Sequence, residues 1–138
     1  MNVLKTWTTL GPYFHAVLRI VSAFVFIPSG TMKLFGFPQA LPQGVDASFL
    51  SMVWFAGVLE VFGGALVLIG LFTRPVSFLL SGMMAFAYFI GHATKETWLW
   101  PSVNFGTAAV LYCFLYLYFS AAGSGPWSVD ACRNKPQI

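Results

Sequence analysis

Residues 52–72 read MVWFAGVLEVFGGALVLIGLF, an apolar run of the length that crosses a bilayer as one helix. Its middle carries one ionisable residue, Glu60. A carboxylate at membrane depth is costly unless something pairs with it, protonates it or wets it. The run therefore predicts a transmembrane helix, and it makes Glu60 the point around which the other apolar segments must build an environment.

Composition agrees with that reading. The 138 residues are 58% hydrophobic and 8% charged, where a soluble domain carries roughly a quarter charged residues. The mean hydropathy is +0.77. The class is integral membrane protein, expected to sit in the lipid bilayer as a single domain over 1–138. The net charge of +3 comes from basic residues scattered at segment ends, which argues topology and excludes a nucleic-acid surface. Cys113 and Cys132 have no CxxC or metal-ligand spacing, so neither a disulfide framework nor a zinc site is expected.

Three further apolar segments flank the first. Spans are expected at about 14–34, 52–72, 76–92 and 104–122, an all-α antiparallel four-helix transmembrane bundle. Residues 1–12 read as a short polar lead and span 1 as retained, not as a signal peptide, because no small-residue cleavage site follows it. Pro28 predicts a kink in span 1. The turn Gly70-Leu-Phe-Thr-Arg-Pro75 places Arg74 at the water edge and Pro75 in the first turn of the next helix. Lys5, Arg74, Arg133 and Lys135 lie on the side of the termini, against Lys33 and Lys95 offset by Asp46 and Glu96 on the other. The positive-inside rule then puts both termini in the cytoplasm, with the tail after residue 122 soluble.

Depth along the helices ranks the partners of Glu60. It lies roughly 12 Å below the outer edge, Tyr112 at about the same depth, Ser29 roughly 7 Å deep and Tyr88 about 6 Å. Lys33 and His92 fall at the outer rim. Arg19 enters from the opposite face and stops roughly 10 Å short of Glu60, a gap that tilt or a water could close. Arg19, Ser22, Phe26, Ser29/Gly30 and Lys33 share one face of span 1. In span 2, Glu60, Gly63, Gly64 and Val67 share another, with glycines that admit a close neighbour. The expected arrangement sets these two faces together, with His92, Glu96 and Asn104 lining the outer mouth.

Each residue also has a plainer reading. Arg19 either snorkels to lipid phosphate or forms an inward ion pair. Lys33 reads first as a topology anchor, His92 as an interfacial side chain and Asn104 as the N-cap of span 4. No metal motif is present. Glu60 is the exception, because its cost favours a site over a purely structural role.

The ordered set of Arg19, Phe26-Ile-Pro-Ser-Gly-Thr-Met-Lys33-Leu-Phe-Gly-Phe, Glu60-Val-Phe-Gly-Gly, Gly70-Leu-Phe-Thr-Arg74, His92, Pro101-x-x-Asn104-x-Gly106 and Gly123-x-Gly125-Pro126-Trp-Ser128-Val-Asp130 resembles the DoxX family. The resemblance covers almost the whole chain. It implies a small four-span protein of the bacterial inner membrane, loosely associated with redox functions; relatives include a subunit of thiosulfate:quinone oxidoreductase and partners of oxidative-stress proteins. Many members carry an acidic residue just after the Asn-x-Gly, where this chain has Thr107, so Glu60 is left as the carboxylate deep in a span.

Three functions compete. The first is a quinone-linked oxidoreductase component, with Glu60 and His92 as proton-carrying catalytic candidates and Arg19, Lys33, Tyr88, Tyr112 and Asn104 as candidates for holding the cofactor. A quinone brings its own redox chemistry, so the protein need only bind its head and move protons; no haem, flavin, iron–sulfur or metal signature appears. The second is a non-catalytic accessory or assembly subunit of a larger membrane complex, docking a protein partner, with an Arg19–Glu60 pair fixing helix register. The third is a proton-coupled small-solute carrier, which would act as a homo-oligomer.

Overall fold

The computed structural model describes residues 3–134; Lys135 of the charge-bias argument lies outside them. Every regular element among these residues is helical: α1 (Val3–Phe35), α2 (Met52–Ile69), α3 (Thr73–Ala87), which runs into a π-helical turn (Tyr88–His92), α4 (Thr107–Ala122) and the short α5 (Val129–Arg133). Among the described residues three stretches are long and apolar enough to cross a membrane: Trp7–Phe35, Met52–Ile69 and Thr73–His92. The fourth apolar helix, α4, has 16 residues, about 24 Å of rise.

Several boundaries differ from the sequence reading for local reasons. α1 takes in the polar lead, because Pro12 and Pro28 both lie inside a continuous helix. α2 starts where the Ser51 side chain accepts the Trp54 N–H at 3.1 Å. It stops at Gly70, whose φ of 70° is left-handed and lets its N–H and that of Leu71 return to the last turn. α3 then begins at Thr73, three residues earlier than expected, with Pro75 in its first turn. Asn104 is not the N-cap of α4. That position belongs to Gly106, and residues 93–106 form successive turns.

Packing follows from small residues facing large ones. A Cβ on Gly30 would stand 2.7 Å from Gly57 O and 2.8 Å from the Glu60 Cβ, and one on Gly57 would stand 2.9 Å from the Lys33 Cβ. Gly64 meets Ile27 and Gly70 meets the Arg19 guanidinium, so α1 and α2 run antiparallel at close approach. In the same way Ser81 against Cys113, Tyr88 against Gly106 and Arg74 against Ser120 set α3 antiparallel to α4. Gly63 seats Leu80 and joins the two pairs. The core between them holds Ala23, Phe26, Val67, Leu80, Met84, Tyr116 and Phe119. The outward faces carry large apolar side chains such as Phe24, Phe62, Phe78, Phe86, Leu111 and Phe114, each more than half exposed. Such a surface is suited to lipid.

One end of the assembly, here the loop end, carries 36–51 and 93–106. The other, the tail end, carries the α2–α3 turn and the chain after α4. The tail does not extend away as a soluble appendage. Asp130 N–H donates to Gly70 O at 2.9 Å, and the Asp130 carboxylate accepts the N–H groups of Phe72 (3.0 Å) and Thr73 (2.9 Å). Asp130 thereby caps the first turn of α3 from the far end of the sequence. Burial pulls its carboxyl upward, but the Thr73 and Phe72 N–H donors and nearby Arg133 outweigh it and hold it below the usual carboxylate range.

Candidate functional site

Glu60 sits one turn before Gly63 on the buried face of α2 and is 3% exposed. Its partner is Lys33, whose Nζ lies 2.6 Å from Oε2 and 2.8 Å from Oε1. The same ammonium donates to Ser29 O at 3.4 Å. This is the one ion pair among the described residues that meets a 4 Å limit. A rim lysine reaches so deep because Cα–Cβ bonds tilt toward the helix N-terminus. On α1 that direction runs inward from Lys33, and on antiparallel α2 it runs toward the loop end from Glu60. Gly30 and Gly57 remove the Cβ atoms that would hold the two backbones apart.

Arg19 obeys the same rule in the opposite sense. Its side chain leans toward the tail end, away from Glu60, and is fully buried. The expected inward pair with Glu60 does not form. Nη1 donates to Val67 O (2.6 Å) and Leu68 O (2.5 Å), Nε to Ser124 O (2.8 Å) and Nη2 to Trp127 O (2.8 Å). Two of these carbonyls belong to the last turn of α2, where the helix dipole is negative and carbonyls keep acceptor capacity for a side-chain donor. Arg19 therefore ties α1, α2 and the tail together, neither snorkelling to lipid nor entering the site.

Beside the ion pair lies a largely apolar cavity of about 480 Å³. Phe26, Ser29 and Lys33 of α1, Ala56 and Glu60 of α2, Met83, Met84 and Ala87 of α3, His92 of the π turn and Tyr112 of α4 line it, with Leu41 and Val45 from the first loop. Of the sequence candidates it thus brings together Glu60, Lys33, His92 and Tyr112. Tyr88 and Asn104 stand behind the wall. Tyr88 Oη donates to Trp98 O at 2.5 Å, and Asn104 Nδ2 donates to Tyr88 Oη (3.1 Å) and Thr97 O (3.0 Å). Asn104 Oδ1 accepts the Gly106 N–H at 2.9 Å, and Asn104 O lies 3.2 Å from His92 Nδ1. These bonds pin the 93–106 loop to the π turn, and Gly106 is required because a Cβ there would enter the Tyr88 ring at 2.5 Å. Glu96 and Lys95 are exposed on that loop. Among the described residues no group of three or more His, Cys, Asp or Glu is placed to hold a metal.

Sequence reasoning missed four contributors. Gly57 has a signal, a small residue one turn before the buried carboxylate. Leu41 and Val45, apolar residues in a polar connection, point the same way. Asp130 had a local sign in the Ser128-x-Asp130 order, where Ser128 Oγ accepts the Ala131 N–H at 3.1 Å and caps α5.

Residues 14–93 match the family described as DoxX. The chain belongs to the DoxX family. A protein of Haemophilus influenzae (strain ATCC 51907 / DSM 11121 / KW20 / Rd), described as uncharacterized, is 45% identical over 131 residues, covering 94% of this chain and 96% of that one. No solved structure matches. The DoxX match takes in Arg19, the Lys33–Glu60 pair and His92, and ends before Asn104 and Tyr112. With its apolar helices, this DoxX chain is a membrane protein.

Proposed function

We propose that the protein is a redox-linked component of the bacterial inner membrane whose loop-end cavity binds a quinone. In this reading all four long helices cross the bilayer as one antiparallel bundle, with both termini in the cytoplasm. The observation that carries the reading is the cavity itself: an apolar chamber at membrane depth, sized for a drug-sized ligand, with an ion pair on one wall.

The lining fits the chemistry of a lipid-soluble quinone. Met83, Met84 and Phe26 offer a pliable apolar surface for a flat ring, and Lys33 supplies an N–H donor for a carbonyl oxygen. When bound, a quinone supplies two-electron chemistry coupled to proton uptake. Glu60 holds Lys33 in place through both carboxylate oxygens and can hold a proton at Oε1 or Oε2. His92 and Tyr112 also line the cavity as further proton-bearing groups. Tyr88 and Asn104 act behind them by fixing the π turn that positions His92.

The test is mass spectrometry of protein purified in mild detergent, together with titration by a short-chain ubiquinone. Wild-type protein is expected to carry quinone and to bind the added analogue, and Lys33→Met is expected to bind it at least about tenfold more weakly, the cost of one charge-assisted hydrogen bond. Protein that neither carries nor binds quinone would overturn the reading. A stoichiometric partner chain in the same preparation would then favour an accessory subunit.

A further inference from the structure

Around the loop-end cavity three of the helix pairs are in contact, and the fourth pair is parted. Between α1 and α2, Gly30 and Gly57 bring the backbones together beside Lys33. Between α1 and α4 the Phe26 ring stands 4.8 Å from that of Tyr112. Between α3 and α4 the Tyr88 ring covers Gly106, and Asn104 Nδ2 donates to Tyr88 Oη at 3.1 Å. α2 and α3 touch where Gly63 seats Leu80. Two turns farther toward the loop end the same two faces present Ala56 and Ala87, and both line the cavity. It is the cavity, not a packed contact, that lies between these helices there.

The outer edge of that gap is a mouth. Met52 of α2, Phe86 of α3 and Ile90 of the π turn line the cavity, yet they are 64%, 56% and 63% exposed. Residues that both line a cavity and belong to the outer surface mark where the two meet. Phe86 continues the exposed face of Leu79 two turns along α3. In a bilayer this apolar mouth faces acyl chains.

Polarity is graded across the chamber. Lys33 and Glu60 stand at the α1–α2 contact and Tyr112 beside Phe26, away from the mouth. Leu41 and Val45 of the 36–51 connection add apolar walls at the loop end. The α1 side thus offers hydrogen bonds and the α2–α3 edge offers only apolar contact.

We propose that the ligand of this cavity enters sideways from the bilayer, between α2 and α3, and leaves an apolar chain in that mouth while its head meets Lys33. The ligand class is a membrane-borne amphiphile, a small polar head on one long chain. This entrance rests on the reading of the cavity as a quinone site and narrows its ligand, because a head group without a chain leaves the mouth empty. A chain that stays among acyl chains is never carried through water, where each methylene is unfavourable.

The probe is a hexadecanol carrying a diazirine along its chain, added to nanodiscs of full-length protein washed free of bound quinone. Illumination should attach the chain to Met84, which lines the cavity at 6% exposure, as well as to outward Phe78. Gly91, exposed beside Ile90, also lines the cavity, and a Cβ there meets nothing within 4 Å. Gly91→Trp can therefore obstruct the mouth without a backbone clash. It should cut labelling of Met84 about tenfold, the scale of overpacking a filled site, with Phe78 unchanged. Gly82→Trp, on the open surface of α3, should leave both unchanged. Wild-type label confined to outward residues would overturn the entrance, as would Gly91→Trp labelled at Met84 like wild type. Quinone titration is read separately. Met84 labelling in protein that binds no quinone keeps the entrance and ends the quinone reading; quinone binding without Met84 labelling does the reverse.

Discussion

Glu60 and Lys33 are bound by mutual need. A nearly fully buried carboxylate without its ammonium is an uncompensated charge, and breaking a buried pair from one side costs about 3–5 kcal/mol. Lys33→Met is therefore expected to destabilise the protein by about 3 kcal/mol, discounted to the low end because the lysine retains some solvent access. Adding Glu60→Gln should recover more than half of that loss, read as SDS-induced unfolding in mixed micelles. A double variant no better than the single would mean that the pair is not the source of the cost. Gly30 works on the same contact by steric means. The Cβ of Gly30→Ala would press on the Gly57 carbonyl at 2.7 Å, backbone that cannot rotate aside. Separation of α1 from α2 at a cost of about 1–3 kcal/mol is expected, with weaker quinone retention as the helices part. Gly82→Ala, where a Cβ meets nothing within 4 Å, is the matched control.

At the scale of elements the tail end is a set of helix ends held by distant residues. The C-terminus of α2 gives two carbonyls to Arg19, and the N-terminus of α3 gives two N–H groups to Asp130. Both charges have the sign that the helix dipole favours. Asp130→Asn keeps an acceptor oxygen but loses the charge, and a loss of about 1 kcal/mol is expected. The carboxyl is held below its usual range in the folded state. Its contribution is therefore complete above the unfolded value of about 4 and disappears as pH falls through the lowered folded value. Melting curves between neutral pH and pH 3 should show wild type and Asp130→Asn converging on acidification. Parallel curves would show that Asp130 is not the group responsible.

For the whole molecule, the chain after α4 is a clasp. Ser124 O and Trp127 O complete the coordination of Arg19, and Asp130 closes the α2–α3 turn. Removing residues 124–138 leaves the buried guanidinium with two of its four carbonyls, so the loss should exceed that of Asp130→Asn alone. It should also couple to Arg19: Arg19→Met is expected to cost at least about 1 kcal/mol less in the truncated chain than in the full one. Additive effects would refute the clasp.

The sequence by itself determined the class, the apolar runs, the Gly70 turn and the need of Glu60 for a partner, because hydropathy and the cost of a buried charge are local quantities. Its span edges slipped at α1, where prolines are absorbed inside the helix, at the Gly70 end of α2, at α3, whose first turn Asp130 caps from afar, and at α4, which starts at Thr107. The identity of the ion partner needed the tertiary structure. Depth arithmetic compares Cα heights and leaves out the lean of side chains toward each helix N-terminus, which carries Lys33 inward to Glu60 and Arg19 away from it. The antiparallel register and the Gly30–Gly57 approach turn that lean into a 2.6 Å contact. The Asp130 cap and the four-carbonyl seat of Arg19 join residues about 50 to 110 positions apart. No local pattern encodes such a pairing, because it exists only once the helices have met.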